Sequence, residues 1–316
     1  MTITCTRHEW KAPDGETFPY SIWDAKGLAS LPNAAGESPR AIVVAVHGLS
    51  GAAIDFEPLG AHLARHGVVT YALELRGQGN DPYPKRRGDL AQIEDWFADL
   101  RAFFSLVRSR HPGAQIYYYG ESMGAALLTR FLAQAGEVDR PAGVVLASPV
   151  VVVPGNPSWW QKQVFHFFLW ARPTQRLNVG KYAKRDKNVP SKWVTRDEAH
   201  RTWFETAPHK LDSYTYRFFK CLFDLIGGCI DAAPRIKVPV LVIYAANDVF
   251  IPPAKVEQFF AKLGSREKEL RFFPESYHLL LHDFDKAQVL ERIEAWLLRR
   301  IEVTDKRQIA EARFEI

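Results

Sequence analysis

The sequence predicts an α/β fold, a mostly parallel central sheet flanked by helices with a helical segment inserted late in the chain. Three observations carry this. Short β-branched apolar runs recur that are too continuous for half-exposed strands and suit strands buried on both faces of a parallel sheet. Stretches of helical period lie between them, which calls for right-handed crossovers. The alternation then breaks near Pro154, where no β-rich run is apparent until about Pro234, and resumes afterwards.

The elements follow in order. "TCTRHEW" and "TFPYSIWD" read as a β-hairpin joined by "APDGE", whose Asp-Gly is a turn signal. "LPNAAGESP" (31–39) reads as a polar loop. "AIVVAVHGL" (41–49) is the first buried strand, a helix follows around 56–66, and "VVTYALELRG" (68–77) is the next strand. Residues 90–110 carry Leu90, Ile93, Trp96, Phe97, Leu100, Phe103, Phe104 and Val107 at helical spacing, ended by Pro112-Gly113. "QIYYYG", a helix over 122–135 and "AGVVLASPVVVV" come next. "VPVLVIYAAND" (238–248) and "ELRFFPE" (269–275) are strands. A last helix over about 283–300 turns Phe284, Val289, Ile293, Trp296, Leu297 and Ile301 inward. The expected organisation is a core of 1–153 and 235–302, a helical cap over 154–234, and a tail or short helix over 303–316.

Composition excludes several classes. The 316 residues are 47% hydrophobic and 24% charged, an ordinary globular balance, long enough to bury a sizeable core. The net charge of +5 is spread along the chain, so no nucleic-acid partner is expected. Its densest cluster, Lys85-Arg86-Arg87, reads as a solvated loop, with attraction to an anionic membrane surface as the alternative. Three cysteines, Cys5, Cys221 and Cys229, argue against a disulfide framework and for a reducing compartment. "MTITCTRHEW" lacks a basic and then apolar leader, and no run of about 18 apolar residues occurs. The expected location is cytoplasmic, with peripheral membrane contact open.

The chemistry centres on "GESMG". A three-position G-x-S-x-G match arises by chance in roughly one such chain in ten, so its surroundings must decide. Ser122 stands at the carboxyl end of a buried strand, just before a helix, where ligands bind in open α/β sheets. A strand reversing into a helix needs a strained turn, and Gly120 and Gly124 leave room for the backbones. A serine needs a base, and the base an orienting acid. Both follow in the order serine, acid, histidine: Asp248 after "VLVIYAAN", and His278 in "ESYHLLLHD". Taken singly, Asp248 reads as a turn residue and His278 as a loop histidine; His282 is a rival base. Found together after the required strands, Ser122, Asp248 and His278 form a candidate triad. The expected oxyanion donors are the backbone N–H groups of Met123, next to the nucleophile, and Leu49, after His47-Gly48.

These residues resemble a known family. "VVAVHGLSG", "YALELRGQG", "YYYGESMGAA", "LASPVVV", "VTRDEAHRTWFETAP", "VPVLVIYAANDVFIPP" and "ESYHLLLHD" occur in the order of the monoacylglycerol lipase and lysophospholipase branch of the α/β-hydrolase superfamily, over about 20–300. The resemblance implies an α/β-hydrolase fold, Ser122 as nucleophile, Asp248 as acid, His278 as base and Leu49 and Met123 as oxyanion donors. It implies an acyl-enzyme mechanism that needs no metal or cofactor. The chain departs from the family at Glu74-Leu75-Arg76-Gly77-Gln78-Gly79-Asn80-Asp81, where Asp-x-Arg-Gly-His-Gly-x-Ser is usual, and at Ala125. Glu121 is like plant members.

The expected substrate is a small-molecule acyl ester, with lipid monoesters such as monoacylglycerols or lysophospholipids foremost. "WWQKQVFHFFLW", including Trp159 and Trp160, reads as cap helices packed on the core, or as an acyl pocket and lipid-surface contact. A small-ester carboxylesterase, a peptidase or amidase, a perhydrolase and a non-hydrolytic binder are the alternatives on the same scaffold.

Overall fold

The computed structural model describes residues 2–25, 39–153, 158–179 and 194–314, with residues 304–314 as backbone only. Apart from Pro39, the expected polar loop over 31–39 lies outside them, as do 154–157 and 180–193 of the late segment.

Eight strands form one sheet in the order β1-β2-β4-β3-β5-β6-β9-β10. They are β1 (Ile3–Lys11), β2 (Thr17–Ala25), β3 (Ala41–Val46), β4 (Val68–Leu73), β5 (Ile116–Glu121), β6 (Gly143–Ala147), β9 (Val240–Ala245) and β10 (Lys268–Phe273). The hairpin β1–β2 is antiparallel and joins β4 antiparallel; every other pairing is parallel. Every residue of β3, β4, β5, β6 and β9 is buried, whereas the edge strands β1 and β10 are largely exposed or half-buried. Strand alternation splits the Tyr117-Tyr118-Tyr119 run between two cores. Tyr118 packs with the face that includes Phe103, Phe104 and Phe131, and Tyr117 and Tyr119 with the face that includes Leu59, Ile293 and Trp296.

Helices cover both faces. Among the described residues those of eight residues or more are α1 (Glu57–Ala64), α2 (Ile93–Arg110), α3 (Met123–Leu132), α4 (Trp159–Ala171), α5 (Glu198–Thr206), α6 (Tyr216–Gly227), α7 (Pro253–Lys262) and α8 (Lys286–Phe314). The apolar stripe of α2 is buried as its spacing requires.

The structure differs from the sequence reading in five places. A two-stranded antiparallel sheet, β7 (Arg176–Asn178) with β8 (Ser213–Thr215), lies within the late segment; three-residue strands leave no periodicity to read. The helix α7 was not anticipated. The last helix starts after Phe284, which is 66% exposed with the Arg196 guanidinium over its ring. That helix runs on to Phe314, with no break near residue 300. Arg86 is not a solvated cation: its guanidinium pairs with Asp81 at 2.8 Å and with Glu16, and lies over Tyr83.

All three cysteines are free, Cys5 exposed and the others buried. Among the described residues no helix is long and apolar enough to cross a membrane.

Candidate active site

Parallel strands bring their carboxyl ends to one edge. Ser122 follows β5, Asp248 follows β9 and His278 follows β10, so the three expected residues converge there. His278 Nε2 is 2.8 Å from Ser122 Oγ, and His278 Nδ1 is 2.7 Å from Asp248 Oδ2. The second carboxylate oxygen of Asp248 accepts the backbone N–H groups of Phe250 (2.9 Å) and Ile251 (3.3 Å). That carboxylate is thereby aimed. It holds the proton on Nδ1, leaving the Nε2 lone pair to take the serine proton.

Ser122 has φ +55° and ψ −117°, a strained conformation for a residue with a side chain. Its neighbours make the turn sterically feasible. A Cβ on Gly124 would lie 2.1 Å from the carbonyl oxygen of Val46, and one on Gly120 would lie 2.7 Å from that of Gly124. Only glycine permits β3, β5 and α3 to meet so closely. Ala125 is fully buried against Gly120, and its single methyl is accommodated where the family usually has glycine. Ser122 also precedes the first residue of α3, Met123, so that helix presents its free N–H end beside the hydroxyl.

The loop after β3 approaches from the other side. A Cβ on Gly48 would stand 3.1 Å from Ser122 Cβ. His47 is completely buried, and burial pushes its imidazole down to about 4, so it is neutral and its 3.7 Å approach to Glu74 is no ion pair. Its Nε2 accepts the Leu75 N–H at 3.1 Å, which puts the proton on Nδ1, 2.9 Å from the Gly48 carbonyl. The Gly51 N–H donates to the same carbonyl at 3.1 Å. A trans peptide points its N–H opposite its C=O, so the Leu49 N–H faces away from His47.

The departures from the family pattern have partners here. Gln78 Oε1 accepts the Ser50 N–H at 3.0 Å. Glu74 Oε1 accepts from the Ala53 N–H at 3.1 Å and from Asn80 Nδ2 at 2.9 Å. Ser50, at φ +58°, hydrogen-bonds the Tyr214 hydroxyl, which ties this loop to β8 of the late segment.

Several residues that shape the site were not singled out from the sequence. Ser148 Oγ donates to the His278 carbonyl at 2.7 Å. The Leu279 N–H donates to the Val194 carbonyl at 2.7 Å and Thr195 Oγ1 to the His282 carbonyl at 2.6 Å. Arg196 pairs with Asp283 and Asp285 at 2.8 and 2.7 Å. Val194 and the "TRDEA" stretch thus fasten the chain that follows His278. The motif itself was the available signal, but its partners are more than 80 residues away. His282, the rival base, instead contacts the Asp55 carbonyl at 2.8 Å and stacks on His200; burial drives it down to about 3.

Charge around the triad is unusual. Burial lowers His278, but the Asp248 carboxylate outweighs it and the net displacement is upward, with Glu121 adding to it. Glu121 is buried with one carboxyl oxygen lacking a hydrogen-bond partner, and burial pushes it up to about 7 against the pull of His278. Asp55 is likewise raised by burial, to about 8.

These groups line one cavity of about 440 Å³. Gly48, Leu49, Ser122, Met123 and His278 line the end of it where the serine hydroxyl stands. Val150, Phe204, Leu222, Phe223 and Ile226 give an apolar wall, most of it from the late segment, and Asp55, Glu121, His200 and His282 a polar one. The arrangement suits acyl transfer to serine, from a substrate with an apolar acyl part.

The family of serine aminopeptidase, S33, matches residues 37–285. A monoacylglycerol lipase of Mycolicibacterium smegmatis is 21% identical, over 95% of this chain and all of the relative. Among solved structures, a soluble variant of Saccharomyces cerevisiae monoglyceride lipase in complex with a substrate analogue superposes with a TM-score of 0.75 at 19% identity, covering 95% of this chain and 96% of that one. A thermostable carboxyl esterase from Bacillus coagulans in complex with glycerol reaches 0.77 at 15% identity, over 95% and 100%. The sheet order and flanking helices are those of an α/β-hydrolase.

Proposed function

Since the chain belongs to the serine aminopeptidase S33 family of hydrolases, we propose that it hydrolyses carboxylic esters of lipids, foremost monoacylglycerols or lysophospholipids, through an acyl-enzyme. The observation that carries this is the Asp248–His278–Ser122 relay, at 2.7 and 2.8 Å, opening into a cavity with an apolar wall. The lipase relatives support the substrate class.

In this reading His278 Nε2 takes the Ser122 proton and Oγ attacks the ester carbonyl. The developing oxyanion is held by the N–H groups of Met123 and Leu49, the latter turned away from His47. His278 then gives its proton to the leaving alcohol and activates water to release the acid. Asp248 stabilises the imidazolium and keeps its tautomer. The acyl chain lies along Phe204, Leu222, Phe223 and Ile226, and the alcohol faces the polar wall. The segment 154–234 acts as a cap. Its helix α4 buries none of its residues and exposes Trp159, Trp160, Phe167 and Trp170, which supports transient contact with a lipid surface.

A peptidase reading has one observation in its favour: Asp55 and Glu121 line the cavity where a substrate ammonium could bind. Their upward displacement toward neutrality weakens them as ammonium receptors.

A panel of p-nitrophenyl esters, monoacylglycerols, lysophospholipids and aminoacyl anilides, run on wild type and Ser122→Ala, tests both. The expected result is highest kcat/KM on medium or long monoesters, fluorophosphonate labelling of wild type, and loss of both in the variant. Rates that peak at acetate and fall with chain length overturn the lipid assignment. Preference for the anilides favours the peptidase, and folded wild type that resists labelling overturns the acyl-enzyme.

A further inference from the structure

We propose that His62, His66 and Glu294 form a binding site for one divalent transition-metal ion, best matched by Zn²⁺, that clips α1 to α8. His62 lies in the last turn of α1 and His66 just beyond its end, four residues on, so both imidazoles reach the same side. Glu294 arrives from α8, which packs on α1 from 232 residues away in sequence. One carboxylate oxygen is 2.7 Å from His62 Nε2 and the other 3.2 Å from His66 Nδ1.

The donor atoms all lie within 4.8 Å of one another. Zinc bonds of about 2.1 Å in tetrahedral array space neighbouring donors about 3.4 Å apart, so small side-chain shifts admit the ion. Two imidazoles and a carboxylate are a donor set that Zn²⁺ accepts readily, and a water would complete it. The three side chains are 18, 34 and 19% exposed, which leaves an entry path and room for that water. Among the described residues no Lys or Arg pairs with Glu294, so its charge is not already neutralised by a fixed cation. None of the three lines the cavity at Ser122. Glu294 also falls outside residues 37–285, the reach of the family match. The site is therefore independent of the proposed hydrolysis and of the reactive serine.

Co²⁺ supplies an optical probe for the same donors. Full-length wild type, His66→Ala and Glu294→Gln are titrated with Co²⁺ and then Zn²⁺, with melting temperature followed in parallel. Glu294→Gln retains a hydrogen-bonding side chain at the clip, which guards against a trivial loss of folding. The expected result is one Co²⁺ per chain with ligand-field bands, displacement by Zn²⁺, and a melting temperature that rises with Zn²⁺. Binding should weaken at least about tenfold in each variant. No binding by wild type at about 100 µM metal, or equal binding by wild type and His66→Ala, overturns the site and leaves a hydrogen-bonded clip.

Discussion

Helices α3 and α4 have similar lengths and opposite surroundings. In α3 nine of ten residues are buried; in α4 none is, and Trp159 and Trp170 are 75 and 81% exposed. The first is packed between β5 and α6 and carries the strained turn at Ser122. The second rests on α6 through aromatic contacts such as Phe165 with Phe223 and Phe168 with Tyr216. Reactive geometry thus sits where burial permits one arrangement. The second helix lies where few contacts need to break.

Removing the orienting acid should produce the largest effect. Asp248→Asn is expected to lower kcat by about 10⁴-fold with little change in KM, because the amide no longer enforces the productive tautomer. Steady-state rates on one soluble ester decide it; a loss under tenfold would show that the rigid region does not govern the chemistry.

Next comes Glu121, whose charge forms only near pH 7. His278 is raised partly by that charge, so Glu121→Gln should move the acid limb of kcat/KM to lower pH. Stability gives a separate readout. The folded value of Glu121 lies above its ordinary 4.5, so its contribution is intact below about 4.5 and is lost as pH rises to about 7. Glu121→Gln should therefore gain relative stability across that window, by up to about 3 kcal/mol. Denaturant melts at pH 4.5 and 8 measure it, and equal shifts at both would refute it.

Tyr214→Phe probes the joint between the two regions. It deletes the hydroxyl that holds Ser50 beside the Leu49 peptide. The expected outcome is a drop in kcat of about tenfold with KM held, at a stability cost of about 1 kcal/mol. Ser50→Ala should not add to it in a double-mutant cycle.

The smallest effect on the protein itself should follow Trp159→Ser with Trp170→Ser. Rates on soluble short esters and the melting temperature should stay put, while activity on monoacylglycerol presented in vesicles falls several-fold. A parallel fall on both substrates would mean that these rings support the fold after all.

Legibility in the sequence followed the same division. Strands β3 to β6 and β9 declared themselves as apolar runs because both their faces are covered. The edge strand β10 was legible in outline. Strands β7 and β8 were not: three residues cannot carry a period, and their pairing joins residues distant in sequence, such as Leu177 with Tyr214. Phe284 misled because apolar character alone does not say which side of a chain reversal faces the core.

The sequence by itself determined the order of Ser122, Asp248 and His278 after successive strands, and the glycines that allow the turn at the serine. These are local properties, set by neighbouring residues and by the topology that such strands must adopt. Tertiary structure alone decided the 2.7 and 2.8 Å contacts and the partner that His282 takes instead, the Asp55 carbonyl. It also decided the fastening of the histidine loop by Ser148, Thr195 and Arg196, and the burial that drives Glu121 toward neutrality. Hydrogen bonds, desolvation and charge coupling depend on which distant residues come within a few ångströms of each other, and a linear sequence does not state that.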